Sequence, residues 1–376
     1  MKLPPLVEEI TIDRPQPILS RAPVVPPPAP LARVKLGVLG LNFGRHIVEE
    51  IATTSAGKYL EPVALCDQHA GRLGSVLPGA SLSRHTSLDD LLADPEVEAV
   101  GLFTGPIGRA DLMRRILRSG RHIITTKPLE IDPDAAQLVL EEADSLGLVV
   151  HCNSPSPLPV PDLRIIQRWE QEYELGQPVG ARGNVWASYR EEPDGTWYDN
   201  PEYCPAPPLY RLGIYLINDL TRLWGRVKRV QVMETRLFTG RPTSDNAQAG
   251  LLFENGALAN VFASFCVEDG DQYGNSLILN YENGTVYRNA GPAWDTPREN
   301  RNRLALVQSK NNQGRVVAQE ETGVGESGYQ WEQFARAVRG GEMPGKLTPE
   351  QMVEGIRVIQ AIATAVRQNG VADVLR

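Results

Sequence analysis

Three small groups of residues in this sequence could do chemistry together. Lys127 closes an apolar run, His122-Ile123-Ile124-Thr125-Thr126, and is followed by Pro128. Upstream, Gly40-Leu41-Asn42-Phe43-Gly44 follows the apolar run Val34-Lys35-Leu36-Gly37-Val38-Leu39. Asp67 follows a second run, Pro62-Val63-Ala64-Leu65-Cys66. A glycine turn between a strand and a helix lets backbone approach a pyrophosphate at the helix N-terminus. Gly40 supplies that turn. Asn42 stands at the usual place of a second glycine and is expected to tolerate positive φ there. An acidic side chain at the end of the second strand can bind the adenosine ribose hydroxyls and repel a 2′-phosphate. Asp67 therefore favours NAD, while nearby Arg72 leaves NADP as the alternative. Thr104-Gly105-Pro106 ends a later run, where strand ends line the ligand crevice. An ammonium such as Lys127 beside a nicotinamide could hydrogen-bond a reacting oxygen and help move its proton.

The elements that must position these groups are legible as periodicity. From residue 34 to 152, apolar runs alternate with amphipathic segments, notably 46–56, 110–119 and 134–146. Repeated strand–helix alternation implies a parallel sheet with right-handed crossovers. After residue 179 strands dominate, and Asn255-Gly256 and Asn283-Gly284 each separate two apolar runs. Asn-Gly suits a type I′ hairpin turn, so this part reads as a mostly antiparallel sheet. A final helix begins at Thr348-Pro349-Glu350-Gln351, a capping box with proline at the first helical position. Its apolar stripe is Met352, Ile356, Ile359, Ala363 and Val366. The expected domains are a proline-rich arm over 1–33, a Rossmann dinucleotide-binding domain over 34–153, and an α+β domain with a large open sheet over 154–376.

Composition narrows the function classes. The 376 residues carry a formal charge of -8, the wrong sign for a general nucleic-acid or anionic-membrane surface. No apolar run reaches the ~20 residues a membrane span needs, and the first residues lack a signal-peptide core. The four scattered cysteines read as free thiols of a reducing cytoplasm. Histidine is scarce and unclustered, so no metal site is expected. His46 and His151 read as structural.

The run from Ala99 to Leu129, with Thr104-Gly105-Pro106, Ser119-Gly120-Arg121-His122 and Thr126-Lys127-Pro128-Leu129, resembles the glucose-fructose oxidoreductase/inositol dehydrogenase/rhizopine catabolism (Gfo/Idh/MocA) family. Further on, Gly213-Ile214-Tyr215-Leu216-Ile217-Asn218 with Arg222 and Gly225 is similar to the glucose-fructose oxidoreductase branch, which has Tyr where other members have His. The resemblance extends over residues 34–376. It implies a Rossmann domain followed by a domain whose open sheet assembles homodimers or homotetramers, with the N-terminal arm contacting a neighbour. It also implies hydride transfer between NAD(P) and a secondary alcohol or ketone, often on a sugar or cyclitol. Lys127 would be the central catalytic group and Tyr215 its acid/base partner. Gly40, Asn42, Phe43, Gly44, Asp67, Thr104, Pro106, Lys127 and Asn153 would hold the cofactor, and Lys127, Arg211, Tyr215 and Asn218 the substrate. A cis Lys127–Pro128 bond would aim the lysine.

The sequence also departs from that pattern. Thr126 replaces the usual Glu, Arg211 replaces an Asp, and Pro205-Ala206-Pro207-Pro208 replaces a glycine-rich stretch. Ser154-Pro155 follows Asn153 where the family often has Arg. A second cation beside Lys127 would depress its pKa and favour an anionic substrate. Trp197, Tyr198 and Tyr203 precede the site and are candidates for its wall. Two other readings are a dihydrodiol or other non-sugar carbonyl oxidoreductase of this fold, and an NAD(P)-binding regulatory protein without turnover.

Overall fold

Buried parallel strands read as continuous apolar runs because both faces are covered. That is how the first half of the molecule is built. The computed structural model describes residues 31–190, 192–270, 273–291, 301–323, 328–368 and 370–376. The arm over residues 1–30 lies outside them. Strands β1 (Val34–Leu39), β2 (Leu60–Cys66), β3 (Ser83–His85), β4 (Ala99–Leu102), β5 (His122–Thr125) and β6 (Val150–Cys152) form one sheet. Its order is β3-β2-β1-β4-β5-β6 and every pair is parallel. Between them run α1 (Leu41–Thr53), α2 (Ala70–Ser75), α3 (Leu88–Ala93), α4 (Arg109–Arg118) and α5 (Pro133–Ser145). The strand order reverses between β1 and β4. In such sheets the ligand crevice opens at this reversal, outside the strands' carboxyl ends.

Helix α1 starts at Leu41, five residues before the expected segment, so Asn42 lies in its first turn. Asn42 is therefore helical rather than left-handed, which corrects the expectation above. Gly40 alone takes the positive φ (91°) that the turn requires. A Cβ on Gly40 would lie 2.9 Å from the backbone carbonyl of Phe103, and one on Gly44 would lie 2.8 Å from Val38 Cγ1. Both close approaches hold β1, α1 and the loop after β4 together.

Helix α6 (Pro161–Glu172) leads into the second sheet, whose strands are β7 (Pro178–Trp186), β8 (Val227–Thr235), β9 (Asn246–Phe253), β10 (Leu258–Ser264), β11 (Gly274–Tyr281), β12 (Gly284–Arg288), β13 (Arg301–Lys310), β14 (Gln313–Gly323) and β15 (Val371–Asp373). Between β7 and β8 comes α7 (Ile214–Trp224), entered through a π-helical turn over Leu209–Gly213. The order is β14-β13-β12-β11-β7-β10-β9-β8-β15. All neighbours are antiparallel except β7 and β10. The hairpins fall at both Asn-Gly pairs, but neither is type I′. Glu254-Asn255 makes the first turn without positive φ, and Gly256 (φ 91°) follows as a bulge residue. In the second, Gly284 already pairs with Tyr281 and lies outside the left-handed region.

Helices α8 (Trp331–Val338) and α9 (Pro349–Arg367) complete the chain's order. The capping box at Thr348 is formed, with the hydroxyl accepting from Gln351 N and the Gln351 side chain accepting from Thr348 N. Helix α9 bridges both apolar cores. Met352, Val353 and Ile356 pack with Ala136 and Val139 of the first, and Val358, Ile359 and Ile362 with the core under the second sheet.

Candidate functional site

A crevice of about 1730 Å³ runs along the carboxyl ends of the first sheet and onto the second, and Gly40, Asp67, Thr104, Lys127, Tyr215 and Arg211 all line it. At its β2 end, Asp67 is buried just past the strand. Its two carboxylate oxygens accept from Leu41 N (2.8 Å) and His69 N (2.8 Å). Arg72 Nη1 lies 3.5 Å away. Burial alone would raise the Asp67 pKa, but these N–H groups and Arg72 outweigh it and hold the carboxyl below its ordinary value.

Of the first four N–H groups of α1, that of Leu41 donates to Asp67 and that of Gly44 to Gly40 O. Those of Asn42 and Phe43 have no partner among the described residues, and both residues line the crevice. No acidic side chain occupies this first turn. Orphan donors at a helix N-terminus suit a diphosphate. The donor set thus fits a dinucleotide, with Asp67 retaining lone pairs for ribose hydroxyls. Phe43 is half exposed beside the rings of His46 and Phe103. His46 is exposed and lines the crevice. Fully buried His151 is pushed down to about 3 by burial, so its imidazole stays neutral.

Arg109, only 1% exposed, organises the next stretch. Its guanidinium donates to Thr126 O (2.6 Å), Pro128 O (2.5 Å) and Thr104 O. It thereby ties the loop after β4, with Thr104 and Pro106, to the loop carrying Lys127. The Lys127–Pro128 bond is cis, as is Ser154–Pro155. Lys127 N donates to Asn153 Oδ1 (2.9 Å), and Asn153 Nδ2 lies 3.5 Å from the Tyr215 hydroxyl. The loops after β5 and β6 are thus tied to each other and to α7.

Lys127 Nζ donates to Arg211 O and sits 4.7 Å from the Tyr215 ring centroid. The lysine faces the tyrosine ring rather than its hydroxyl. Burial pushes the Lys127 pKa down to about 7, and the charge of Arg211 adds to that effect. Burial likewise raises the Tyr215 pKa, so its hydroxyl remains protonated at neutral pH. The Arg211 guanidinium lies 4.3 Å from the Tyr198 ring centroid, 4.6 Å from that of Tyr189 and 5.0 Å from that of Phe265. Such a cage fixes a cation through the ring quadrupoles. The Trp197 ring centroid lies 4.3 Å from that of Tyr198, with the planes tilted by 42°, and both line the crevice, whereas exposed Tyr203 does not. Asn218 is buried, donates to Ser154 Oγ (2.9 Å) and packs on Gly355 of α9. Among the described residues no cluster of His, Cys, Asp or Glu could hold a metal ion, and no helix is long and apolar enough to cross a membrane.

This fold and crevice define a two-sheet, dinucleotide-binding α/β protein. The family description "Oxidoreductase family, NAD-binding Rossmann fold" matches residues 34–154, and the GFO/IDH/MocA C-terminal domain matches residues 163–287. The chain belongs to the Gfo/Idh/MocA oxidoreductase family and carries its NAD-binding Rossmann fold. An uncharacterized oxidoreductase of Schizosaccharomyces pombe is 25% identical over 154 residues, covering 38% of each chain. The curated relatives it matches are spanned only over 38%, 37% and 53% of their lengths. Among solved structures, an NAD binding oxidoreductase from Klebsiella pneumoniae is similar at TM-score 0.70 and 18% identity, over 92% of this chain and 100% of that one. The WlbA dehydrogenase from Bordetella pertussis, in complex with NADH and UDP-GlcNAcA, is similar at TM-score 0.71 and 16% identity, over 92% and 98%.

Converting Asp67 to Asn removes a negative charge from the β2 end of the crevice and releases Arg72, and a carboxylate at such a strand end disfavours a 2′-phosphate. The NADH-to-NADPH affinity ratio should then fall by about tenfold. Fluorescence titration of both nucleotides checks this, and an unchanged ratio would remove Asp67 from the choice.

Proposed function

We propose that the protein interconverts a secondary alcohol and a ketone on a sugar, cyclitol or related polyol, with NAD as its redox partner. The observation that carries this reading is Lys127. It is half-buried in the wall of the crevice, with a pKa of about 7, the range in which a proton acceptor works best near neutrality. When bound, NAD supplies the hydride acceptor or donor. Asp67 would bind the adenosine ribose, and the N–H groups of Asn42 and Phe43 the diphosphate. Gly40 and Gly44 keep that turn close-packed. Thr104, Pro106, Lys127 and Asn153 would flank the nicotinamide end.

In the oxidation direction the neutral Lys127 amine takes the proton of the reacting hydroxyl. In the reverse direction its ammonium returns that proton to the oxygen. Tyr215, kept protonated by burial, donates a hydrogen bond to the same oxygen and serves as a donor rather than a base. Arg211, held by its aromatic cage, favours a substrate bearing negative charge. Asn218 acts as a positioning group, fixing α7 against Ser154 and α9.

Supporting this reading, the similar WlbA dehydrogenase from Bordetella pertussis was solved in complex with NADH and UDP-GlcNAcA. The helix-free face of the second sheet, with Leu258, Phe262 and Ile278 partly or fully exposed, suits assembly of identical copies. Four buried free thiols suit a reducing, cytoplasmic setting.

The pH dependence tests the lysine. Its neutral form is needed for oxidation, so kcat for NADH formation should rise about tenfold per pH unit below about 7 and level off above it. Ketone reduction should show the mirror profile. A flat response between about pH 5.5 and 9 would remove Lys127 as the titrating group.

A further inference from the structure

We infer that the crevice continues past Lys127 into a second, charge-balanced subsite that holds a further hydroxyl-rich ring, making the substrate an extended glycoside rather than a single sugar ring. The inference rests on Lys127 marking the reacting centre.

Helix α7 provides the ruler. Its buried side chains Ile214, Leu216, Ile217 and Leu220 belong to the core. Tyr215, Asp219 and Arg222 instead line the crevice, at the i, i+4, i+7 spacing of one helical face. At 1.5 Å per residue, Asp219 lies about 6 Å and Arg222 about 10 Å beyond Tyr215. That is the length of a second pyranose.

The groups waiting there are fixed in advance. Arg288 of β12 is 3% exposed. Its Nη1 donates to Asp162 (2.9 Å) and Asp219 (2.7 Å), and its Nη2 to Asn275 (3.2 Å). Asn302 donates to Asp162 at 3.1 Å. The Arg288 Nε is buried without a partner among the described residues, so the outward-facing Asp219 and Asn275, rather than this atom, present the polar groups to the crevice. All six groups, Asp162, Asp219, Arg222, Asn275, Arg288 and Asn302, line the same crevice as Lys127.

Two carboxylates face two guanidinium groups, so the subsite has no net charge to offer an ion. It offers acceptors on Asp219 and donors on Asn275 and Arg222, which together match a neutral polyol. The Asp219 side chain keeps 18% of its surface open. A purely structural ion cluster would gain little over apolar packing, whereas an open one can exchange water for hydroxyl groups. The crevice volume, about 1730 Å³, exceeds the ~300–1,000 Å³ of common small-ligand sites and leaves room for a cofactor and two rings.

The test compares glucose and galactose with cellobiose, maltose, lactose and melibiose. NADH formation is followed by absorbance, and binding to the NADH-loaded protein by calorimetry. At least one disaccharide should exceed its constituent monosaccharides in kcat/KM by about tenfold or more. That ratio should collapse in Asn275→Ala and Asp219→Asn. If Asp219→Asn fails to fold by circular dichroism, Asn275→Ala decides. Monosaccharides used as well as disaccharides, or a ratio unmoved by the folded variants, would overturn the subsite while leaving the alcohol chemistry intact. Disaccharide binding without turnover, weakened by Asn275→Ala, would support the subsite and defeat the Lys127 reading. Absence of both binding and turnover with all six sugars would overturn the subsite.

Discussion

Lys127→Met is expected to lower kcat roughly a thousandfold, within the range that one general acid–base group supplies, while NADH affinity stays within about threefold. Methionine is close in length and apolar, so it fills the same space over the Tyr215 ring. It lacks only the proton acceptor and the donor to Arg211 O. Lys127→Arg should fail almost as completely, because guanidinium does not release its proton in this pH range. A stability measurement separates chemistry from damage. The native site disfavours the charged lysine, which is why its pKa falls to about 7. Removing that ammonium should therefore raise the unfolding midpoint at neutral pH, corresponding to a gain on the order of 1–2 kcal/mol. Lost turnover with a lower midpoint would point instead to a structural lysine.

The second large effect is at Gly40. Gly40→Ala should weaken NADH binding by about a hundredfold and cost about 1–3 kcal/mol of stability. Alanine is strained at φ 91°, and its Cβ would meet the Phe103 carbonyl group at 2.9 Å. The contact is with backbone, so no side-chain rotation relieves it. The loops after β1 and β4 must part, and the helix N-terminus moves with them. Fluorescence titration with NADH and a thermal melt measure the two consequences separately. Wild-type affinity in this variant would detach the turn from the cofactor.

These sites differ in how far the sequence disclosed them, for physical reasons. Continuous apolar runs revealed β1, β2, β4 and β5 because parallel strands are buried on both faces. Strand β3 escaped because Ser83-Arg84-His85 is a polar edge strand paired only with β2. The Asn-Gly pairs located both hairpins but misdescribed the turns, since the flanking strands accommodate a type I turn with a bulge at Gly256. Lys127 was legible through its strand end and its distance from the glycine turn. The cage around Arg211 was not, because Tyr189 and Phe265 reach it from distant segments. Arg109 carries no local signal at all. Its role depends on three carbonyl groups that only the folded loops bring together. The polar face of α7 did leave a trace. Tyr215, Asp219 and Arg222 recur at helical spacing on a helix whose other residues, Asn218 and Thr221 apart, are apolar, a pattern of the kind that marks a site wall.

The most direct measurement is NAD⁺ reduction by wild type and Lys127→Met, side by side, across sugars, cyclitols, sugar acids and simple hydroxy acids. At least one sugar, cyclitol or sugar acid should be oxidised by the wild-type protein and lost in the variant, with NADH bound equally well by both. Wild-type turnover retained in Lys127→Met would contradict the proposed chemistry, as would a wild-type protein that binds NADH yet oxidises none of these alcohols.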